Sequence, residues 1–242
     1  MKKTAIITGA SGGIGKSIAL KLAHTHDHIA LTGYHHPEHL EELREQLTSS
    51  GVNCMIFTGN AGSYEFVKQC VNDITQSWGQ IDTLVNNAGI SYIGLLTDMS
   101  IEDWDLILKT NLSSVFYYCH EAIPYMVHRK QGSILNISSV WGEVGASCEA
   151  AYAATKGGIN ALTMSLGKEL APSNVAVNAI SCGVIDTPMN HCFSAEEKAT
   201  LANEIPYGRM ASPDEVAEFA AHIIDSPSYL TGQILRFDGG WI

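Results

Sequence analysis

Charge is scarce in this chain of 242 residues, and positive charge is scarcer still. Only 16% of the residues are charged, with 14 Lys and Arg against 25 Asp and Glu, for a formal net charge of −11. A nucleic-acid binder needs a basic surface to meet phosphates, so nucleic acid is not an expected partner. No apolar run approaches the ~20 residues that span a bilayer, and no membrane association is expected. Met1-Lys2-Lys3 could open a secretion signal, but the apolar run behind it, Ala5-Ile6-Ile7, is too short for one, which makes the expected location cytoplasmic. Cys-x-x-Cys pairs are missing. Cys54, Cys70, Cys119, Cys148, Cys182 and Cys192 show no regular spacing and read as reduced, mostly buried thiols. Histidines crowd at 24, 26, 28, 35, 36 and 39. Metal ligands there would have to converge from a helix end, a strand and a loop, so solvent-facing histidines are expected and no metal. Linkers, repeats and low-complexity segments are also lacking. With 45% hydrophobic residues, the chain is expected to bury one core as a single domain over 1–242.

What is present is an alternation of short apolar runs and amphipathic stretches. Candidate strands are Thr4–Thr8, His28–Thr32, Asn53–Thr58, Thr83–Asn86, Ser133–Ser138, Val175–Ile180 and Ile234–Phe237. They are continuous and often β-branched, as strands covered on both faces are. Ile14, Ile18 and Leu22 fall on one helical face, as do Leu40, Leu43 and Leu47 beyond Pro37. Strand–helix alternation predicts an α/β, doubly wound Rossmann fold with a mainly parallel, seven-stranded sheet. The stretch 186–200 lacks strand character and is expected to be a mobile substrate flap, with a short helix from Ala195 onward.

Gly9, Ser11, Gly12, Gly13, Ile14 and Gly15 follow the first strand and open the first helix. Glycine lets an anionic pyrophosphate approach the backbone, and a helix N-terminus offers unpaired N–H groups. Asn86-Asn87-Ala88-Gly89 ends the fourth strand. Taken alone it is a plain turn; in a crevice at the strand C-termini, Asn87, Ala88 and Gly89 would flank ribose and nicotinamide. The second strand runs out into Thr32-Gly33-Tyr34-His35-His36, with no acid before Glu38. An acid there would hold a ribose 2′-OH and repel a 2′-phosphate. Its absence favours NADP over NAD, with Tyr34, His35 and His36 beside the adenosine and Lys16 nearby.

Tyr152 and Lys156 are four residues apart in a helical stretch from about Glu149 to Leu170, so both side chains leave one face. A free phenol has a pKa near 10. The neighbouring ammonium is expected to lower it, making Tyr152 a general acid for reduction and base for oxidation. Ser139 ends the fifth strand, where its hydroxyl would bind a carbonyl oxygen, while alternation turns Ser138 elsewhere. Asn111 could hold a water leading protons to Lys156.

In this order, Thr8-Gly9-x-x-x-Gly13-Ile14-Gly15, Asn86-Asn87-Ala88-Gly89, Asn111, Ser139 and Tyr152-x-x-x-Lys156 resemble the short-chain dehydrogenase/reductase family. Ile185-Asp186-Thr187-Pro188 and the closing Asp238-Gly239-Gly240 fit as well, and the resemblance covers nearly the whole chain. It implies NAD(P)-linked hydride transfer at a ketone or alcohol, commonly in a homotetramer. It also implies that Gly183, Ile185 and Thr187 border the nicotinamide and that Asn60 and Ala61 border the adenine. Within the family the chain is similar to 3-oxoacyl-carrier-protein reductases, which act on a ketone carried on a protein. Trp141–Glu149, Glu169–Asn174 and the ending Asp238-Gly239-Gly240-Trp241 resemble elongation factor P 5-aminopentanone reductases. A non-catalytic dinucleotide-binding scaffold would be marked by loss of the Ser, Tyr or Lys, and all three are present.

Two positions depart from the family pattern. Cys182 stands where proline is usual, which suggests a looser turn and an exposed thiol. Pro172-Ser173-Asn174 lacks a basic residue expected for docking an acidic carrier, although His128-Arg129-Lys130 remains. Glu143 and Glu149 bracket the loop between Ser139 and Tyr152, and one of them is a candidate to receive a substrate ammonium.

Overall fold

The structure is a computed structural model that describes residues 2–189 and 194–242. Its centre is a seven-stranded sheet in the order β3-β2-β1-β4-β5-β6-β7. The strands are β1 (Thr4–Ile7), β2 (His28–Gly33), β3 (Asn53–Thr58), β4 (Thr83–Asn86), β5 (Gly132–Ser139), β6 (Val175–Cys182) and β7 (Ile234–Phe237), and every pairing is parallel. The predicted strands are therefore present, with β5 and β6 each running on to the residues at the reacting end.

Alternation along the strands explains the layers. Ala5, Ile7, Ile29, Leu31, Val85 and Ile180 face one side with Ile18, Leu22, Leu40, Leu43 and Val216. Those partners belong to α1 (Gly13–Leu22), α2 (Pro37–Ser49) and α9 (Pro213–Ile224). Ile6, Ala30, Leu84, Ile134 and Val177 face the other side with Val67, Ile74, Tyr118 and Ile159. These lie on α3 (Tyr64–Trp78), α5 (Ser114–Arg129) and α7 (Ala150–Leu170). Between β4 and α5 come α4 (Ile101–Ile107) and a π-helical segment, Leu108–Ser113. A short α6 (Trp141–Val144) joins β5 to α7, and α8 (Ala195–Glu204) is capped by Ser194 and Glu197 as a capping box.

The helix expected from Ala195 is thus in place, while residues 190–193 of the expected flap lie outside the described residues. β1 pairs β2 on one edge and β4 on the other, so the chain reverses its winding between β1 and β4. The C-terminal ends of those two strands form the crevice where such sheets bind ligands. No helix among the described residues is long and apolar enough to cross a membrane.

Candidate active site

At the switch point the ends of β1 and β4 are tied together. Thr8 Oγ1 accepts from the backbone N–H groups of Asn87 and Ala88 at 3.0 and 2.9 Å. Asn87 Nδ2 donates to the carbonyls of Thr8 and Gly9, both at 2.9 Å. The approach is close enough that a Cβ on Gly9, whose φ is +64°, would lie 2.8 Å from Ala88 Cα. Next comes a concave backbone. Gly12 precedes α1 with no side-chain cap, and no acid stands in the first turn. A Cβ on Gly12 would meet nothing within 4 Å, and one on Gly13 would meet Thr187 Cγ2 at 3.3 Å. The first N–H groups of α1, around Ile14 and the buried Gly15, therefore border open space walled by Thr187, which is a fitting cradle for a dinucleotide pyrophosphate.

The adenosine side is more open. Ser11 lies against the end of β2, its Cβ 3.4 Å from where a Gly33 side chain would begin. Tyr34, His35 and His36 are exposed beyond it, with the Tyr34 and His35 rings 4.8 Å apart. Asn60 is exposed at the end of β3, where its Oδ1 accepts from Gly62 N at 2.8 Å, and Ala61 packs on the core. Ile185 is buried and bridges Ala211.

The reacting end is built by α7 lying against β5. Ser138 Oγ donates to Asn160 Oδ1 at 2.6 Å, and Lys156 Nζ donates to the Ile137 carbonyl at 2.7 Å. These bonds turn the Tyr152/Lys156 face of α7 toward the strand end, where the Ser139 side chain acts on the Tyr152 hydroxyl and lowers its pKa. Ser139 Oγ also accepts from Trp141 N at 3.2 Å. The Lys156 ammonium sits 5.4 Å from the centre of the Tyr152 ring. Asn111 is fully buried in the π-helical segment. Its amide accepts from Ile90 N and donates to Ile90 O, both at 2.8 Å, and reaches Thr155 Oγ1 at 3.3 Å. A Cβ on Gly89 would fall 3.4 Å from Asn111 Oδ1 and 3.8 Å from Lys156 Nζ, so the fourth-strand turn, Asn111 and Lys156 are neighbours.

The electrostatics correct one expectation. Burial pushes the Tyr152 hydroxyl up, Cys182 and Glu149 push it further, and only the Ser139 hydrogen bond lowers it. Burial also pulls Lys156 down to about 8. The ammonium does not prevail over the phenol's desolvation, because the same low-dielectric pocket penalises both charges. In the protein alone Tyr152 is a firmly protonated acid.

Cys182 is the second correction. It is buried, and burial pushes its thiol up to about 12. Its carbonyl accepts from Val140 N at 3.0 Å, and Gly183 N donates to Phe237 O at 2.9 Å. Strand pairing thus holds the segment where a looser turn and exposed thiol were expected. Glu143 is the third. Arg236 holds its carboxylate at 2.7 Å, Ser181 donates to it, and its pKa is lowered by both. It is therefore engaged with β6 and β7, whereas half-buried Glu149, pushed up by burial, acts directly on Tyr152.

Comparison with known proteins agrees with this geometry. The family model described as short chain dehydrogenase matches residues 3–198. The chain belongs to the short-chain dehydrogenase family. Among relatives of this family, the oxidoreductase YmfI of Bacillus subtilis (strain 168) is 40% identical, covering 100% of this chain and 99% of that protein. The 3-oxoacyl-[acyl-carrier-protein] reductase FabG of Staphylococcus aureus (strain Mu50 / ATCC 700699) is 37% identical over 99% of this chain and 98% of its own. The crystal structure of YwfH, an NADPH dependent reductase involved in bacilysin biosynthesis, superposes with a TM-score of 0.93 at 25% identity, over 100% of this chain and 99% of that one. This short-chain dehydrogenase is an NAD(P)-dependent oxidoreductase acting at a CH–OH/C=O centre. Sequence reasoning named Thr8 only as part of the glycine motif, without its bridging role, and left out Thr155, Asn160 and the Ile137 carbonyl, which help hold the site in shape. Thr8 carried a signal, since a hydroxyl between a strand and a glycine turn can bridge to the next strand; the others follow only from how α7 docks.

Proposed function

We propose that this enzyme is an NADPH-dependent ketone reductase of the 3-oxoacyl-carrier-protein reductase type, one domain working in the cytoplasm as a homotetramer. The observation that carries the reading is the Ser139–Tyr152–Lys156 cluster at the C-terminal end of β5, beside the glycine cradle. Gly9, Ser11, Gly12, Gly13, Ile14 and Gly15 hold the pyrophosphate, Asn87, Ala88 and Gly89 the ribose and nicotinamide, and Gly183, Ile185 and Thr187 the carboxamide side. Tyr34, His35 and His36 face the adenosine ribose, and Asn60 and Ala61 the adenine. The lack of an acid at the end of β2 supports NADPH.

A nicotinamide held by these residues would supply the hydride for the carbonyl carbon. Ser139 donates to the carbonyl oxygen and stabilises its developing charge. Tyr152 delivers the proton to that oxygen, so ketone, hydride and proton close to an alcohol. Lys156 orients the pocket and replenishes the proton, and Asn111 fixes the loop at Gly89 and Ile90. The test is NADPH oxidation with an acetoacetyl thioester. Tyr152→Phe is expected to lose activity by about a thousandfold while still binding nucleotide; undiminished activity in that variant rejects the mechanism.

Glu149 favours a second reading. Among the described residues no Lys, Arg or His pairs with it, and it lies beside Tyr152. A substrate with a cationic end, such as the 5-aminopentanone group on elongation factor P, would neutralise it, whereas a phosphopantetheine would be repelled. Assaying that modified protein beside the thioester distinguishes the two.

A further inference from the structure

The histidines of the β2–α2 connection were not expected to bind metal, because their ligands would have to come from three separate elements. The structure brings three ligands together within one turn. His36 has φ +62° and stands immediately before α2, whose first residue is Pro37. The left-handed backbone folds its ring over the first turn of the helix, where His39 N donates to the His36 carbonyl at 3.1 Å. The two imidazoles stack with centroids 5.0 Å apart and 19° between planes. Glu38 closes the group, with its Oε1 at 3.1 Å from His36 Nδ1. One ligand atom from each of His36, Glu38 and His39 lies within 4.8 Å of the others.

We propose that His36, Glu38 and His39 form a surface binding site for a borderline divalent transition metal, with Zn²⁺ as its best-fitting occupant. Two imidazoles and one carboxylate are a three-ligand zinc set that leaves a fourth position for water. Zinc bound at ~2.1 Å sets tetrahedral ligands ~3.4 Å apart. Ligand atoms now within 4.8 Å must close by at most about 1.4 Å, and the stacked rings must turn so that their in-plane lone pairs meet at the ion, rotamer changes open to exposed side chains. His36 and Glu38 have side-chain exposures of 63% and 60%, so metal can enter without disturbing the core. The carboxylate supplies the negative charge that the rings lack, and it already lies against His36.

Isothermal titration calorimetry of the nucleotide-free protein with zinc chloride tests the site without reference to cofactor or activity. One Zn²⁺ per chain is expected to bind saturably. His36→Asn, which keeps a residue tolerant of the left-handed backbone, should weaken it by about tenfold or more, the scale on which disturbed ligand shells lose affinity. Glu38→Gln and His39→Ala should do the same, and His24→Ala, an exposed histidine on another turn, should leave the affinity unchanged. Absence of saturable binding, or binding that all three variants leave intact, overturns the proposal.

Discussion

The Glu143 carboxylate is 2.7 Å from the Arg236 guanidinium, and Ser181 donates to the same carboxylate. One acid from α6, the short helix after β5, therefore ties β6 to β7, which makes it a structural group. Glu143→Gln should lower stability by about 0.5–1 kcal/mol, the range for a partly exposed pair, and leave KM for a ketone unchanged. Glu149→Gln should do the reverse. With an amino-ketone substrate its KM should rise by about tenfold, the effect of losing ~1.4 kcal/mol, while the melting temperature holds. Steady-state kinetics beside thermal melts separate the two; a KM effect in Glu143→Gln would return that residue to the substrate site.

Lys156 carries a tension between stability and activity. Burial pulls it from 10.5 to about 8. Between those values the unfolded chain holds the proton and the folded chain releases it. Folding is thus opposed at and below pH 8, and the opposition fades as pH rises toward 10.5. Lys156→Met removes the buried charge. At pH 7 the variant should be more stable by about 1 kcal/mol, or roughly 2–4 °C in Tm for a chain of this size, and inactive. The gain should shrink as the melt is repeated toward pH 10. A variant less stable than wild type at pH 7 would show that the bond to the Ile137 carbonyl outweighs desolvation.

The strands were legible because each is a short, largely apolar run; β1, β2, β4 and β6 are buried throughout, while the edge strands β3 and β7 are only half-buried. Asn53–Thr58, Thr83–Asn86 and Ile234–Phe237 have the predicted bounds. The reacting cluster was legible because Tyr152 and Lys156 share a helical face and Ser139 ends a strand, relations fixed by local periodicity. Partners chosen by long-range packing were not. The 93-residue span from Glu143 to Arg236 leaves no mark in local sequence, so Glu143 reads as a free loop acid. Lys156 beside Tyr152 suggests a depressed phenol, and only the depth of the pocket reverses it. The π-helical turn that buries Asn111 breaks the 3.6-residue period and could not be read from it.

His26 is buried at the opposite end of the sheet, with Nε2 2.9 Å from Thr83 Oγ1 and Nδ1 2.9 Å from Thr25 Oγ1. Burial lowers its pKa below 6.5, and Lys3 lowers it further against weaker opposition from the Leu22 backbone, Asp82 and Asp225. As pH falls below 6.5, the unfolded chain takes up a proton that the folded chain refuses. Stability contributed by neutral His26 is therefore present above that pH and lost as pH drops toward the folded value. Urea midpoints measured at pH 7.5 and pH 5.5 should show the wild type losing more stability than His26→Asn. An equal loss in both would assign the acid sensitivity to other groups.

Gly12 is the position where cofactor choice is open to substitution. Its φ of 179° is ordinary extended backbone, and an added Cβ would meet nothing within 4 Å. A side chain is therefore tolerated by the fold, unlike at Gly9, where it would strike Ala88. Position 12 directly follows Ser11, which meets the end of β2, and the planar fork of an arginine there suits a phosphate. Gly12→Arg should melt with the wild type. It should tighten NADPH by about fivefold, the effect of ~1 kcal/mol from one charge-assisted contact, and leave NADH nearly unchanged. Fluorescence titration of both nucleotides reads the ratio directly. Equal tightening of the two would place the new charge on the shared pyrophosphate, and weakening of both would mean that the glycine cradle needs the space that the arginine fills.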